Sequence, residues 1–185
     1  MLNAHNVLQR AKQTAFATAN ATATAKLQNV SSFKPTPDLQ TRALDQIRGT
    51  LAPTHQTVLD HYKGDATFEV SDETFEDVNY WLDSLFSEAT PGGVDPSFTR
   101  AYTAPTTAEP TPAFMTLQWG QTDEVWQLQD ASVATLVLSG SNNSGVQVGG
   151  SLIGGKVIEG VLQTLNDRSG TRMTGCMAAL AIDAW

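Results

Sequence analysis

The sequence predicts a mainly β protein: a β-sandwich- or barrel-like fold with one flanking α-helix at about residues 72–87 and an extended N-terminal arm. From residue 114 onward, short alternating stretches are separated by turns rich in Gly, Asn and Asp, a pattern typical of sandwiches and barrels. One segment has apolar residues at helical spacing. Only 16% of the 185 residues are charged, so Thr, Ser, Gln and Asn supply most of the polarity, as suits a β-rich chain.

Residues 1–30 are predicted to form an extended or weakly helical arm outside the core, and residues 31–185 a single β-rich domain. The arm contains the low-complexity stretch ATANATATAK and carries a net charge of +3, whereas the rest of the chain carries −11. Two interpretations of the arm stay open. It is either disordered, as chain termini often are, or docked on a neighbouring subunit.

The chain between the arm and the helix is predicted to be extended. The two prolines in SSFKPTPDLQ favour extended backbone. Pro53 and the polar residues around it indicate a loop between strand-like pieces. YKGDATFEV then alternates, which predicts a strand with Ala66, Phe68 and Val70 on one face.

The helix is predicted from SDETFEDVNYWLDSLFSE, with Ser71 as its N-cap and acidic residues at its positive end. The sequence TPGG ends it. Its aromatic residues Trp81 and Phe86 are interpreted as packing against a sheet, rather than as a binding stripe. The apolar face is predicted from the helical spacing of Phe75, Val78, Trp81 or Leu82, and Leu85.

The remaining chain is predicted to be β. The stretches FMTLQWG, EVWQLQD, ASVATLVLSG and VQVGGSLIGG are read as strands, and SNNSG as a polar turn. A strand around residues 98–102 is expected in the preceding Pro/Thr-rich region. GKVIEGVLQTL is ambiguous between strand and helix, and GCMAALAID is read as a last buried strand.

The stretch from Gly150 to Lys156 fits G-x-x-x-x-G-K, the start of a nucleotide-binding loop. That loop needs a Ser or Thr hydroxyl next to bind Mg²⁺, but Val157 stands there, and Gly160 weakens any following helix. We therefore interpret these glycines as positions of close backbone approach, within the strands or at a subunit joint.

No other pattern indicates chemistry. His55 and His61 are six residues apart in the predicted loop, His5 is in the arm, and none has a metal-ligand or catalytic context. Cys176 is read as a buried, inert thiol. The ten acidic residues between Asp60 and Asp95 lack the spacing of a calcium loop and are interpreted as a solvated helix face. We expect no catalytic, cofactor-binding or metal-binding residue and no enzymatic activity.

The net charge and the hydropathy of the chain limit which partners it can bind. A net charge of −8 argues against gripping nucleic acid through its phosphates. No apolar run reaches the length of a membrane span, and the N-terminus lacks the core of a signal peptide. A reducing cytoplasm is therefore the expected place of synthesis or assembly.

The order of these segments resembles that of a known family. A lead with prolines, FKPTPD, precedes QIRGTLAPTHQT and the strand YKGDATFEV, which runs directly into the helix ETFEDVNYWLDSLFSE. A Thr/Pro stretch ends in FMTLQWG, two strands flank a polar turn in VWQLQDASVATLVLSGSNNSGVQVGGSLIGG, and ALAIDAW closes the order. Over about residues 33–185 this order resembles the tail tube (major tail) proteins of long-tailed bacteriophages.

The resemblance implies a sandwich-like or small barrel domain whose copies form rings, hexameric in the family, that stack into a tube. Inner strands would line a channel for the genome during ejection, sheet edges would join subunits, and long loops and the arm would join rings. The implied partners are further copies, the tape measure, the tail terminator and the tail tip. DNA would pass without specific binding, no membrane would be involved, and the virion tail would be assembled in the host bacterial cytoplasm.

Two other functions remain open. One is a tail-tip or tail-completion protein, which fills one or a few rings. The other is a carbohydrate- or protein-binding β-sandwich module with Trp119, Trp126 and Tyr102 as a sugar platform. The family pattern also leads us to expect more chain after an Ile-Asp strand. A sequence that stops at Trp185 is therefore either a compact member or incomplete.

Overall fold

The computed structural model describes residues 6–45, 54–94, 97–103, 107, 111–121 and 123–175. These residues are mostly strand, with one helix, which confirms the predicted class. The strands and the helix are β1 (Val7–Lys12), β2 (Ala25–Leu27), β3 (Val30–Asp45), β4 (Thr54–Val70), α1 (Phe75–Leu85), β5 (Gly92–Val94), β6 (Ser97–Thr99), β7 (Met115–Gln121), β8 (Glu124–Ser139), β9 (Gln147–Gly154) and β10 (Lys156–Glu159).

Eight strands form one antiparallel sheet in the order β2-β1-β7-β8-β9-β4-β3, with β10 also paired to β8; β5 and β6 form a separate hairpin. The long strand β8 changes partners along its length. Its first half pairs with β7 and β10, and its second half pairs with β9. Asp130 lies near this change, with a positive φ of 55°. The strand therefore belongs to two layers.

The two layers face each other across the core. Phe33 of β3 and Trp119 of β7 are far apart in strand order, yet their ring centroids are 5.1 Å apart. A β-carbon added at Gly64 or Gly154 would lie 2.7 or 2.5 Å from Cδ1 of Leu128, so both glycines admit that side chain. The arrangement is sandwich-like, as the sequence predicts.

The core joins both layers and the helix. Ala66, Phe68 and Val70 are all buried, which confirms the face predicted for this strand. Trp81 of α1 stacks on Phe68 with ring centroids 4.1 Å apart, so the helix packs on the sheet as expected. The helix begins later than predicted. Its N-cap is Thr74, whose hydroxyl accepts a hydrogen bond from the Asp77 backbone N–H.

The prediction that residues 1–30 lie outside the core is wrong for β1 and β2. The segment is extended, but β1 lies between β2 and β7 in the sheet, and Leu8 and Ala11 are buried. The apolar pattern of β1 is weak because polar residues occupy several of its buried positions. Gln9, for example, exchanges two hydrogen bonds of 2.7 and 2.8 Å with the backbone of Gln163.

The loop predicted after Pro53 is also wrong for the described residues, because β4 is continuous from Thr54. The β3–β4 pair extends beyond the end of β9, which stops pairing with β4 at Gly64. Residues 38–45 and 54–63 therefore form a two-stranded extension, called the ribbon below. Pro53 itself lies outside the described residues. So does the strand predicted from GCMAALAID, except for its first residue, Gly175.

Candidate assembly surfaces

The stretch from Gly150 to Lys156 forms the end of β9, a bend at Gly155 and the start of β10. A phosphate loop instead opens a helix. A β-carbon at Gly150 would lie 2.1 Å from the carbonyl oxygen of Thr135. The absence of a side chain at Gly150 thus allows the backbone of the neighbouring strand β8 to approach closely. This agrees with the interpretation of close backbone approach within the strands.

The residues considered for chemistry are not assembled into a site. His61 lies within β4, opposite Gln40, and not in a loop. His5 and Cys176 lie outside the described residues. Within the described ranges, no three His, Cys, Asp or Glu side chains are placed to hold a metal ion. No helix in that part of the chain has the length and hydrophobicity to cross a membrane.

The proposed sugar platform is only partly assembled. Trp119 and Trp126 are direct partners across β7 and β8, and Trp126 is partly exposed. Tyr102 instead lies against the helix, where its hydroxyl donates to Asp83 at 2.9 Å. Trp119 packs on Phe33. The Trp119 ring is therefore part of the packing between the two layers.

One face of the layer β8-β9-β4-β3 is open. Because Ala66, Phe68 and Val70 point inward, the alternate residues of β4 point to the other face. Small hydroxyl side chains meet there: Thr135 and Ser151 are hydrogen-bonded at 2.7 Å. The residues that share this open face are Ser32, Lys34, Thr36, Asp38, Lys63, Asp65, Thr67, Glu69, Thr135, Val137, Ser151 and Ile153.

The charge on the open face is small. Among its residues from β3 and β4, two are lysines and three are carboxylates, and β8 and β9 add no charge to it. Lys63 and Asp65 form an ion pair of 2.7 Å. The acidic excess of the chain is therefore located mainly elsewhere.

The same layer has two edges without a strand partner among the described residues. One is the outer edge of β3. The other is the second half of β8, where the side chains of Val137 and Leu138 are 62% and 48% exposed. Consecutive strand residues point to opposite faces, so this edge is apolar on both sides. Residues 131–139 carry no charge and no proline. Such an edge is a template for strand addition.

The ribbon also presents apolar side chains. Leu39 and Tyr62 are cross-strand partners, and they and Leu59 are exposed by 43 to 56%. Lys156 Nζ lies 5.2 Å from the Tyr62 ring centroid. An isolated two-stranded ribbon with an uncovered apolar side has marginal stability. It is therefore a candidate contact surface.

The interpretation of the acidic residues as a solvated helix face is wrong for three of them. Glu73, Asp77 and Asp83 are buried, and each carboxylate accepts hydrogen bonds inside the fold. Asp77 pairs with Arg168 and accepts the backbone N–H of Gln28. These long-range partners leave no signal in the local sequence pattern.

Asp83 connects the helix to the segment that follows it. It accepts hydrogen bonds from Tyr102 (2.9 Å), the Ala89 backbone N–H (3.2 Å) and Arg100 (3.3 Å). Burial, followed by the contact with Asp83, raises the pKa of Tyr102 to about 12. The hydroxyl thus remains a donor throughout the physiological pH range.

Glu73 is a buried carboxyl group with a raised pKa. Burial raises its pKa to about 7, helped by the charge of Asp77 and opposed by hydrogen bonds from Thr74 N–H and Trp81 Nε1. The backbone of Glu73 also contacts the segment after β10, because its carbonyl accepts a hydrogen bond from the backbone N–H of Met173 at 2.8 Å.

Residues 160–175 form an irregular segment, here called the strap, which crosses α1 and β2. The ambiguous stretch GKVIEGVLQTL is a strand only from Lys156 to Glu159. Every charged residue of the strap is paired: Asp167 with Lys26, Arg168 with Asp77, and Arg172 with Asp72. The strap therefore holds the N-terminal strands to the helix.

The chain matches a family of phage proteins. A family model described as phage tail tube protein matches residues 3–184. No curated protein sequence matches. A chain of the virion of a native gene transfer agent particle has 7% identity and a TM-score of 0.48, with 86% of this chain and 98% of that chain covered. A chain of the anti-feeding prophage baseplate has 8% identity and a TM-score of 0.45, with 87% and 95% covered.

Proposed function

The chain belongs to the phage tail tube protein family and is a structural protein of a virion tail, and we propose that it is the major tube subunit. In this proposal copies form rings, six to a ring, and the rings stack into a tube whose lumen conducts the genome during ejection. The role is structural and involves no catalysis or cofactor. Assembly takes place in the host bacterial cytoplasm.

The observation that carries the proposal is the layer β8-β9-β4-β3, which has one open polar face and two edges that no described strand pairs with. Joining the β8 edge of one copy to the β3 edge of the next extends the sheet without limit or closes it into a ring. Six copies would supply about 24 strands, and strands about 4.8 Å apart give a backbone circle roughly 40 Å across. Such a circle encloses a wide aqueous channel.

The open face is suited to line that channel. Its Ser and Thr hydroxyls are small and uncharged, and its carboxylates slightly outnumber its lysines. Binding DNA through its backbone requires clustered Lys and Arg that release counterions from the phosphates. A face without that excess lets DNA slide without adhering.

The ribbon is suited to join rings. Two strands of the N-terminal segment, β1 and β2, lie in the sheet, so this proposal assigns the joining of rings to the ribbon as well as to the long loops and the arm. The exposed side chains of Leu39, Leu59 and Tyr62 extend past the layer and need a partner surface. In a stack of rings, the next ring supplies that surface. The tape measure, tail terminator and tail tip are further partners in this proposal.

Electron microscopy of purified protein and of parent particles tests the function. We expect rings or tubes with a central pore. Val137→Lys places a charge on the β8 edge and should abolish them while the monomer stays folded. Val161→Lys, at a similarly exposed valine of the strap, is the matched control and should leave tubes intact. A strictly monomeric protein at high concentration, with no tubes in the particles, would contradict the proposal.

Copy number distinguishes the tube subunit from a tail-tip or tail-completion protein. A tube subunit should be among the most abundant proteins of the particle by gel densitometry. A tip protein should be present in one or a few rings only.

A further inference from the structure

We propose that Pro35 and Pro37 give the β3 edge a polarity, so that it accepts the β8 edge of a second copy and rejects another β3. The inference rests on the proposed ring. Proline has no backbone N–H group, so a strand edge that exposes prolines lacks hydrogen-bond donors there.

Both prolines lie in an unbroken part of the β3–β4 ladder. Pro35 is opposite Ala66 and Pro37 is opposite Gly64, and no register shift occurs between Ser32 and Gln40. In an antiparallel pair, opposite residues alternate between those that exchange hydrogen bonds and those whose N–H and C=O point away. Prolines in a strand occupy the second kind of position. The nitrogens and carbonyls of Pro35 and Pro37 therefore point to the free edge.

The middle of this edge can accept hydrogen bonds but cannot donate them. If two β3 edges met in a two-fold antiparallel pair centred on Thr36, Pro35 of each copy would lie opposite Pro37 of the other. Neither strand would then supply a donor, and carbonyl oxygens would face one another. Buried carbonyls without partners are costly.

The β8 edge complements this one. Its residues 134–139 contain no proline, so every N–H is present. A β8 strand can donate to the carbonyls of Pro35 and Pro37, so donors are missing from one strand only. The exposed Val137 and Leu138 would also be covered. Because the described part of the layer β8-β9-β4-β3 has one edge of each kind, head-to-tail joining repeats and closes, whereas β3–β3 dimers would remove copies from the ring.

Cross-linking tests this polarity. Thr36→Cys in a Cys176→Ala background places a thiol on the open face of β3, where a β3–β3 pair would bring two copies together. We expect no dimer through Cys at 36 with the native prolines. The double variant Pro35→Thr, Pro37→Thr should form that disulfide dimer and lose closed rings. Pro91→Thr, at an exposed proline before β5, is the control and should behave like the parent.

Equal cross-linking with and without the prolines, together with unchanged rings in the double variant, would overturn the inference. Pro37→Thr alone provides the same comparison with a smaller change if the double variant folds poorly by circular dichroism. If the parent protein forms no rings at all, the proposed function fails. The cross-link comparison between parent and variant then still decides the polarity of the edge.

Discussion

Glu73 makes the stability of the subunit depend on pH, and Glu73→Gln should remove that dependence. The side chain is 1% exposed, and its two oxygens accept N–H groups from Thr74 at 3.0 Å and from Trp81 at 3.2 Å. Burial is the main cause that raises its pKa to about 7. In the unfolded chain the same group titrates at its ordinary value.

The size and sign of the effect follow from these two values. Between about pH 4.5 and 7, the folded protein holds a proton on Glu73 that the unfolded chain has released. The free energy of unfolding therefore falls as pH rises through that window and levels off above it. At about 1.4 kcal/mol for each pH unit of the difference, the loss is about 3 kcal/mol.

Urea unfolding of dispersed subunits, followed by circular dichroism at pH 4 to 8, measures this loss. The free energy of unfolding of the wild type, relative to Glu73→Gln, should fall by about 3 kcal/mol across the window. The amide cannot accept both N–H groups, so the variant carries a constant cost at every pH. Glu76→Gln, at an exposed carboxylate one turn away, is the control and should keep the wild-type slope.

Parallel pH curves for the wild type and Glu73→Gln would refute the reasoning. They would mean that the buried carboxyl group titrates in the folded protein as it does in the unfolded chain. If Glu76→Gln instead lost the dependence of the free energy of unfolding on pH, the assignment of that dependence to Glu73 would be wrong.

Three further changes test the fold. Deleting residues 1–30 removes β1 and β2 and should abolish cooperative thermal unfolding, because core strands are lost. Gly150→Ala should cost about 1–3 kcal/mol in urea unfolding, because its β-carbon would clash with the Thr135 carbonyl. Arg168→Met leaves Asp77 buried without its partner and should cost about 3 kcal/mol, which Asp77→Asn in the same chain should partly restore.

The sequence is a good guide where burial follows a short period. The alternation through Ala66, Phe68 and Val70 and the helical spacing around Trp81 predict both the elements and the faces that they bury. In β4 one face is apolar and the other polar, and in α1 the apolar residues Val78 and Trp81 recur at helical spacing, so local composition carries this information. Phe75 is the exception on the helix, since it lies at the first turn and stays partly exposed.

Local pattern fails where polar residues are buried by partners far along the chain. Gln9 bonds Gln163, and Asp77 pairs with Arg168, so residues that look solvated lie inside. The strap that supplies both partners has no regular structure and no period to detect. The same absence of pattern explains why β1 is read as an arm and the helix carboxylates as a solvated face.

The buried carboxylates also change the electrostatic argument for a channel. A net charge of −8 suggests a repulsive wall, but Asp77 and Asp83 are neutralised by arginines inside the fold, and Glu73 titrates near pH 7. The open face retains only a slight acidic excess. In the proposed tube, DNA therefore slides because the wall lacks clustered cations, and strong repulsion is not required. A reversal of that balance, with lysines in place of Asp65 and Glu69, should slow DNA passage in a salt-dependent way while rings still form.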